Sequence, residues 1–263
     1  MFVKKSLLKI ETSDISGYLA YLQEKQIDKA TLCVLASVLK TFYSWANYYH
    51  GSLSLKKIYL YLVNVIRIKK DHKIPFIPKR EEIEQLRLTL RRYKELISFD
   101  RQSFDYKRTL MAYAIFELLV TTGMRSVELR NLRRKDIDVN NRTVFIRHGK
   151  GDFQRISIFG KSAVELLKEH LELNLFQPED LIFPIKRNNV LNYMLRSWAK
   201  KANVSPEIHA HSFRHYFITE SQRQGVSIQI VADQVGHRNL NTTKMYTHFT
   251  TDFIKERYEA TNI

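Results

Sequence analysis

Apolar residues recur at three- and four-residue spacing along most of this chain, which places them on one face of a helix. Between about residues 12 and 70 the segments "SDISGYLAYLQEKQ", "KATLCVLASVLKTFYSWANYYH" and "SLKKIYLYLVNVIRI" predict helices. Ser13 or Asp14, and later Ser52 or Ser54, are in position to cap them. The run "HKIPFIPKREEIEQL" breaks the pattern, because Pro75 and Pro78 favour extended backbone, and Lys79 to Glu82 open a new helix. Helices are expected near 80–97 and 108–122, joined by a polar loop around Asp100 to Ser103. The charged stretch from Arg101 to Lys107 reads as an extension of that loop. "LMAYAIFELLVTTGM" (110–124) is the longest apolar run. It carries Glu117 and falls short of the roughly 18 apolar residues of a membrane span, so it predicts a core helix.

The period then shortens to two. "DIDVNNRTVFIRHGKGDFQRISIF" alternates in runs separated by Asn140-Asn141 and by Gly149-Lys150-Gly151. Both separators suit hairpin turns, so a three-stranded antiparallel sheet is expected. Helical spacing resumes after Gly160 and continues nearly to the end. The expected fold is mainly α with a small antiparallel β-sheet: a helical N-terminal domain over 1–74, a linker over 75–79, and an α+β domain over 80–263.

Charge narrows the class of partner. Lys and Arg number 43 against 27 acidic residues, a net charge of +16. Such an excess suits a polyanion, since each Lys or Arg that meets a phosphate releases counterions; it also suits an anionic membrane surface or plain solubility. Residues 1–75 hold 12 Lys and Arg against 5 acids, so the first domain is basic by itself. The single cysteine, Cys33, has no intramolecular disulfide partner and reads as a small buried residue in a reducing cytoplasm. "MFVKKSLLKIE" has lysines but no sufficient apolar stretch for a secretion signal. A soluble, cytoplasmic protein with no membrane contact is expected.

Five short sites, the last two within one segment, carry unusual polar residues. In "TTGMRSVELRNL", Gly123 ends one helix, Arg125 opens the next, and Glu128 lies three residues on, where a surface ion pair is the plain alternative. In "RHGKGDFQR", Lys150 sits at a hairpin tip between glycines that permit close backbone approach. In "EIHAHSFRHYF", His211 and Arg214 share a helix face. His209 and His215 lie nearby, but no cysteine pair or metalloprotease spacing accompanies them, so no metal and no cofactor is expected. "VGHRNLNTTKMYTHF" supplies His237 and, after a short polar connector, Tyr246. Each alone is more simply a packed or solvated side chain. Together, two arginines, a lysine, two histidines and a tyrosine suit one task, holding and attacking a phosphodiester. Arg forks clamp non-bridging oxygens, Lys or His moves protons, and Tyr can be a covalent nucleophile.

In order and spacing, "TGMRSVEL", "GKGDFQR", "HSFRH", "VGHRN" and "TTKMYTHF" resemble the tyrosine recombinase (phage integrase, Xer-type) family over roughly residues 75–250. The resemblance implies an N-terminal all-α core-binding domain and a C-terminal catalytic domain with a tail helix. It implies that Tyr246 attacks the scissile phosphorus, forming a 3′-phosphotyrosyl link and releasing a 5′-hydroxyl. Arg125 and Arg214 would hold the non-bridging oxygens, Lys150 would protonate the leaving oxygen, His211 would take the tyrosine proton and His237 would bond the phosphate. Glu128 would buttress the site. Lys56, Lys57, Lys69 and Lys70 become candidate phosphate contacts of the first domain. The implied partner is a double-stranded DNA recombination site, engaged by a homo-tetramer on two DNA sites. The tail "DFIKERYEATNI" would dock on a neighbouring subunit or cap its own. Neither metal nor ATP would be needed, and with so short an N-terminal region no separate arm-site domain would be expected. A type IB topoisomerase and a DNA-binding regulator that keeps the fold without using its tyrosine remain the competing readings.

Overall fold

The computed structural model describes residues 9–64, 75–147 and 154–237. The chain divides into two compact units, Met1–Lys73 and Ile74–Ile263.

The described part of the first unit is three helices, α1 (Thr12–Glu24), α2 (Lys29–His50) and α3 (Leu53–Asn64). Glu11, not Ser13, holds the cap position of α1. Asp14 stands one turn inside and its Oδ2 accepts the Glu11 N–H at 2.9 Å, so the acidic residue serves the cap from within. Asp28 caps α2 by accepting the Ala30 N–H, and Gly51 ends it in the left-handed conformation. Ser52 O accepts from Lys56 N in the first turn of α3, whereas the Ser54 hydroxyl donates to the Ile10 carbonyl. The apolar stripes meet in a small core of Ile15, Leu19, Tyr43, Ala46, Leu55, Ile58 and Leu62. Cys33 is half-buried on α2, less enclosed than its apolar context suggested, because it lies on the flank of that stripe.

The second unit is built around one helix. After residues 75–79, which form no regular element, come α4 (Arg80–Leu96) and α5 (Phe104–Thr122). The charged stretch read as loop is helix from Phe104 onward. Ser103 caps it by accepting the Tyr106 N–H, while Asp105 and Arg108 stay exposed and Tyr106, Thr109 and Leu110 turn inward. Charge there marks the solvent face of a first turn. From Leu110 the helix is buried almost all round, as expected of a helix at the centre of a core. Its one buried carboxylate, Glu117, is held by Arg87 of α4 (Nε–Oε1 2.6 Å) and by the Ser162 hydroxyl.

A short helix α6 (Ser126–Arg130) leads to the strands β1 (Ile137–Asp138), β2 (Thr143–Ile146) and β3 (Arg155–Ile158). They form an antiparallel sheet in the order β1-β2-β3, with Ile146 opposite Arg155. The β1–β2 turn spans 139–142, and the residue at positive φ is Arg142 rather than either asparagine. Helices α7 (Val164–Asn174), α8 (Asn188–Lys201), α9 (Ala210–Arg223) and α10 (Ile228–Val235) complete the described chain. Among the described residues no helix is long and apolar enough to cross a membrane.

Candidate active site

The end of α5 sets the first arginine. Gly123 closes the helix at φ +60, and a Cβ there would stand 2.7 Å from Phe217 and 3.0 Å from Val235. Only glycine lets α5, α9 and α10 approach this closely. Two residues on, Arg125 is the cap residue of α6, in extended conformation. Glu128, at the third helical position, reaches back so that its Oε2 accepts the Arg125 backbone N–H at 2.8 Å, and its Oε1 accepts Arg125 Nη1 at 2.8 Å. The R-x-x-E spacing thus fixes the arginine both at its backbone N–H and at its guanidinium.

Glu128 is not part of a surface pair. It is 4% exposed and also receives Arg155 from β3, Nη1 to Oε1 at 2.9 Å and Nη2 to Oε2 at 2.8 Å. Burial pushes its carboxyl up, but the Arg155 hydrogen bonds and charge, then those of Arg125, outweigh this and hold it below the usual carboxylate range.

The C-terminal end of α10 gathers three arginines on three successive carbonyls. Arg155 Nε donates to Gln234 O at 3.0 Å, Arg214 Nη2 to Val235 O at 2.8 Å, and Arg125 Nη2 to Gly236 O at 3.1 Å. These carbonyls lie at the negative end of the helix dipole, and its closing turn lacks intrahelical partners for them, so cations are favoured there. Arg214, 2% exposed, spends its other terminal nitrogen on Gly123 O at 2.7 Å, tying the end of α5 to the end of α10. Gly236 must be glycine twice over: φ is +70, and a Cβ would meet Arg155 Nη1 at 2.8 Å.

The histidines line the same region. His209 precedes α9 and its N–H is capped by Ser212 Oγ at 3.1 Å. His211 is solvent-exposed, and its ring stands edge-on to buried His215 with centroids 4.4 Å apart. His237 follows the α10 cap, its N–H donating to Ala232 O at 2.9 Å. Partial desolvation of the ring first, then the positive field of Arg214, lowers the pKa of His211, and burial followed by the same field takes that of His237 to about 4. His215 is pushed to about 3, by burial and then by His211. All three rings are therefore neutral at pH 7, able to accept a proton, in a field that favours an arriving anion. Among the described residues no three His, Cys, Asp or Glu side chains are placed to hold a metal ion.

Of the residues singled out in the sequence, Arg125, Glu128, His211, Arg214 and His237 come from α6, α9 and the end of α10 to one region. Lys56 and Lys57 are exposed on α3 of the first unit. Lys150, Tyr246, Lys69, Lys70 and the C-terminal tail lie outside the described residues. Arg155 is the participant that sequence reasoning passed over. Its signal was an inverted strand: in β3 the Arg and Ser face inward while Ile156 and Ile158 are 64% and 54% exposed.

Residues 86–252 match the phage integrase family. The tyrosine recombinase XerC of Staphylococcus epidermidis is 31% identical over 271 residues, covering 98% of this chain and 84% of the relative. Among solved structures, the XerH site-specific recombinase bound to difH substrate in a pre-cleavage complex aligns with TM-score 0.71 and 25% identity, over 96% of this chain and 71% of that one. A post-cleavage XerH complex shares the fold at TM-score 0.75 and 24% identity, over 98% and 74% of the two chains.

Proposed function

The chain belongs to the phage integrase family of tyrosine recombinases, and from that premise we propose a site-specific recombinase that cuts and rejoins DNA through a 3′-phosphotyrosyl intermediate. Strands are exchanged between two DNA sites, whether the outcome is integration, excision or dimer resolution. The observation that carries the reading is the seating of Arg125 and Arg214 on adjacent carbonyls of α10, beside neutral His211 and His237.

In the first step the Tyr246 hydroxyl oxygen bonds to phosphorus and passes its proton to His211. The bond from phosphorus to the 5′-oxygen breaks, and Lys150 supplies the proton that makes the leaving 5′-hydroxyl. Arg125 and Arg214 neutralise the non-bridging oxygens as charge grows at phosphorus, and His237 hydrogen-bonds the phosphate. Arg214 comes to this task already anchored by two carbonyls, so little reorganisation is needed when the phosphate arrives. The phosphotyrosine keeps the energy of the broken phosphodiester, so a 5′-hydroxyl of either duplex reverses the step without ATP. Guanidinium and ammonium groups supply the charge that a metal ion supplies elsewhere.

Residues 1–74 act as the core-binding domain, joined by 75–79 to the catalytic domain at 80–263. Exposed Lys56 and Lys57, with Lys69 and Lys70, bind backbone phosphates there and carry no sequence information. Four copies assemble on two sites through the C-terminal tail, in the cytoplasm where the DNA lies. The test is strand exchange between two differently labelled duplexes carrying the same site, in EDTA and without nucleotide: recombinant strands support the reading, and resealing confined to the original partner contradicts it.

A further inference from the structure

Arg155 has a part in the site that its burial conceals. Its side chain is 6% exposed, and all three guanidinium nitrogens are directed at protein acceptors: Nη1 and Nη2 at the two oxygens of Glu128, Nε at the carbonyl of Gln234. Those acceptors belong to α6 and α10, so one planar fork joins three elements distant in sequence. Arg125 leans on the same two elements, taking Glu128 Oε1 with one terminal nitrogen and Gly236 O with the other. Whatever sets the spacing between Glu128 and the end of α10 therefore sets where the Arg125 guanidinium points.

We propose that Arg155 is a positioning residue for DNA cleavage, which fixes Glu128 against the C-terminal end of α10 and so aims Arg125 at the scissile phosphate without touching DNA itself. This rests on the recombinase reading above. Lysine does not replace it, because an ammonium is a point charge and lacks the flat three-way donor set that matches a carboxylate on one edge and a carbonyl on the other. Gly236 belongs to the same device, since the absent side chain leaves the space that Arg155 Nη1 and Cζ fill.

The test is a double-mutant cycle on single-turnover cleavage. Nicked duplexes from the DNA flanking the gene are screened for the one the unaltered protein captures covalently best. Adduct formation and DNA affinity are then measured for Arg155→Gln, Arg125→Ala and the double variant. Arg155→Gln is expected to slow capture on the order of 10²-fold, the usual effect of a misaimed catalytic group, with affinity changed less than about threefold. In the Arg125→Ala background the same change should cost less than about threefold, because residues acting as a unit are not additive. Equal cost in both backgrounds, or weakened DNA binding in proportion to lost capture, overturns the proposal. Arg155→Lys, which keeps a buried cation for Glu128, covers the case in which the glutamine variant does not fold. It should still slow capture roughly tenfold, and capture at the unaltered rate contradicts the role. If the unaltered protein captures no duplex, the recombinase reading fails instead.

Discussion

The guanidinium of Arg125 donates to the carbonyl of Gly236 at 3.1 Å, across 111 residues of chain. Gly236 ends α10 and precedes His237, so this one bond ties the residue that opens α6 to the segment that leads on toward Tyr246. The two parts of the sequence motif are thus one mechanical object.

Gly236→Ala should destabilise the second unit by about 1–3 kcal/mol, since alanine meets both a positive φ and the pinned Arg155 guanidinium. Urea denaturation measures the loss. An unchanged midpoint would mean that the Arg155 fork is not held as described.

Glu128→Ala leaves the Arg155 cation buried without its carboxylate, for which a loss of about 3–5 kcal/mol is expected. Replacing both partners, Glu128→Leu with Arg155→Met, should cost clearly less, because the buried Arg155 charge is then gone and Arg125, which also pairs with Glu128, is partly exposed to solvent. If the double variant is no more stable than Glu128→Ala, buried charge is not the cause.

Acid should weaken the fold well before the carboxylates titrate. His215 and His237 are held to about 3 and about 4, against an ordinary value of 6.5. Between those limits the unfolded chain binds protons that the folded chain refuses, so this stability is whole above about pH 6.5 and drains away as pH falls to about 4 for His237 and about 3 for His215. Glu128, also lowered, adds to the loss at still lower pH. The urea midpoint should decline from pH 7 to pH 5, and the decline should shrink in His215→Phe. A flat profile over that range contradicts the buried, neutral histidines.

Much of this was legible in the sequence, and the residues show why the rest was not. The all-round apolar run of α5 and the hairpin turns are local signals, and the structure has the core helix and the three strands. The arginines, histidines and Glu128 were visible because their neighbours form short motifs. Arg155 was not, because its meaning lies in Glu128, 27 residues away, and Gln234, 79 residues away. The first turn of α5 was misread because Asp105 and Lys107 are charged, although charge just after a capping serine is also what the solvent face of a first turn looks like.

Lys150→Ala should slow cleavage of ordinary DNA by about 10²–10⁴-fold, the usual worth of a positioned general acid. A substrate with sulfur in place of the bridging 5′-oxygen leaves without needing that proton. Capture of this substrate should return to within about tenfold of the unaltered protein. No recovery would remove Lys150 from the role of acid.

Covalent trapping tests Tyr246 as the nucleophile most directly. The protein is incubated in EDTA with nicked duplexes from the DNA flanking its gene, then run on a denaturing gel beside Tyr246→Phe. A denaturation-resistant adduct is expected with the unaltered protein, and none with Tyr246→Phe despite nearly equal DNA affinity. An adduct that persists in Tyr246→Phe, or tight DNA binding with no adduct from the unaltered protein, would contradict that role.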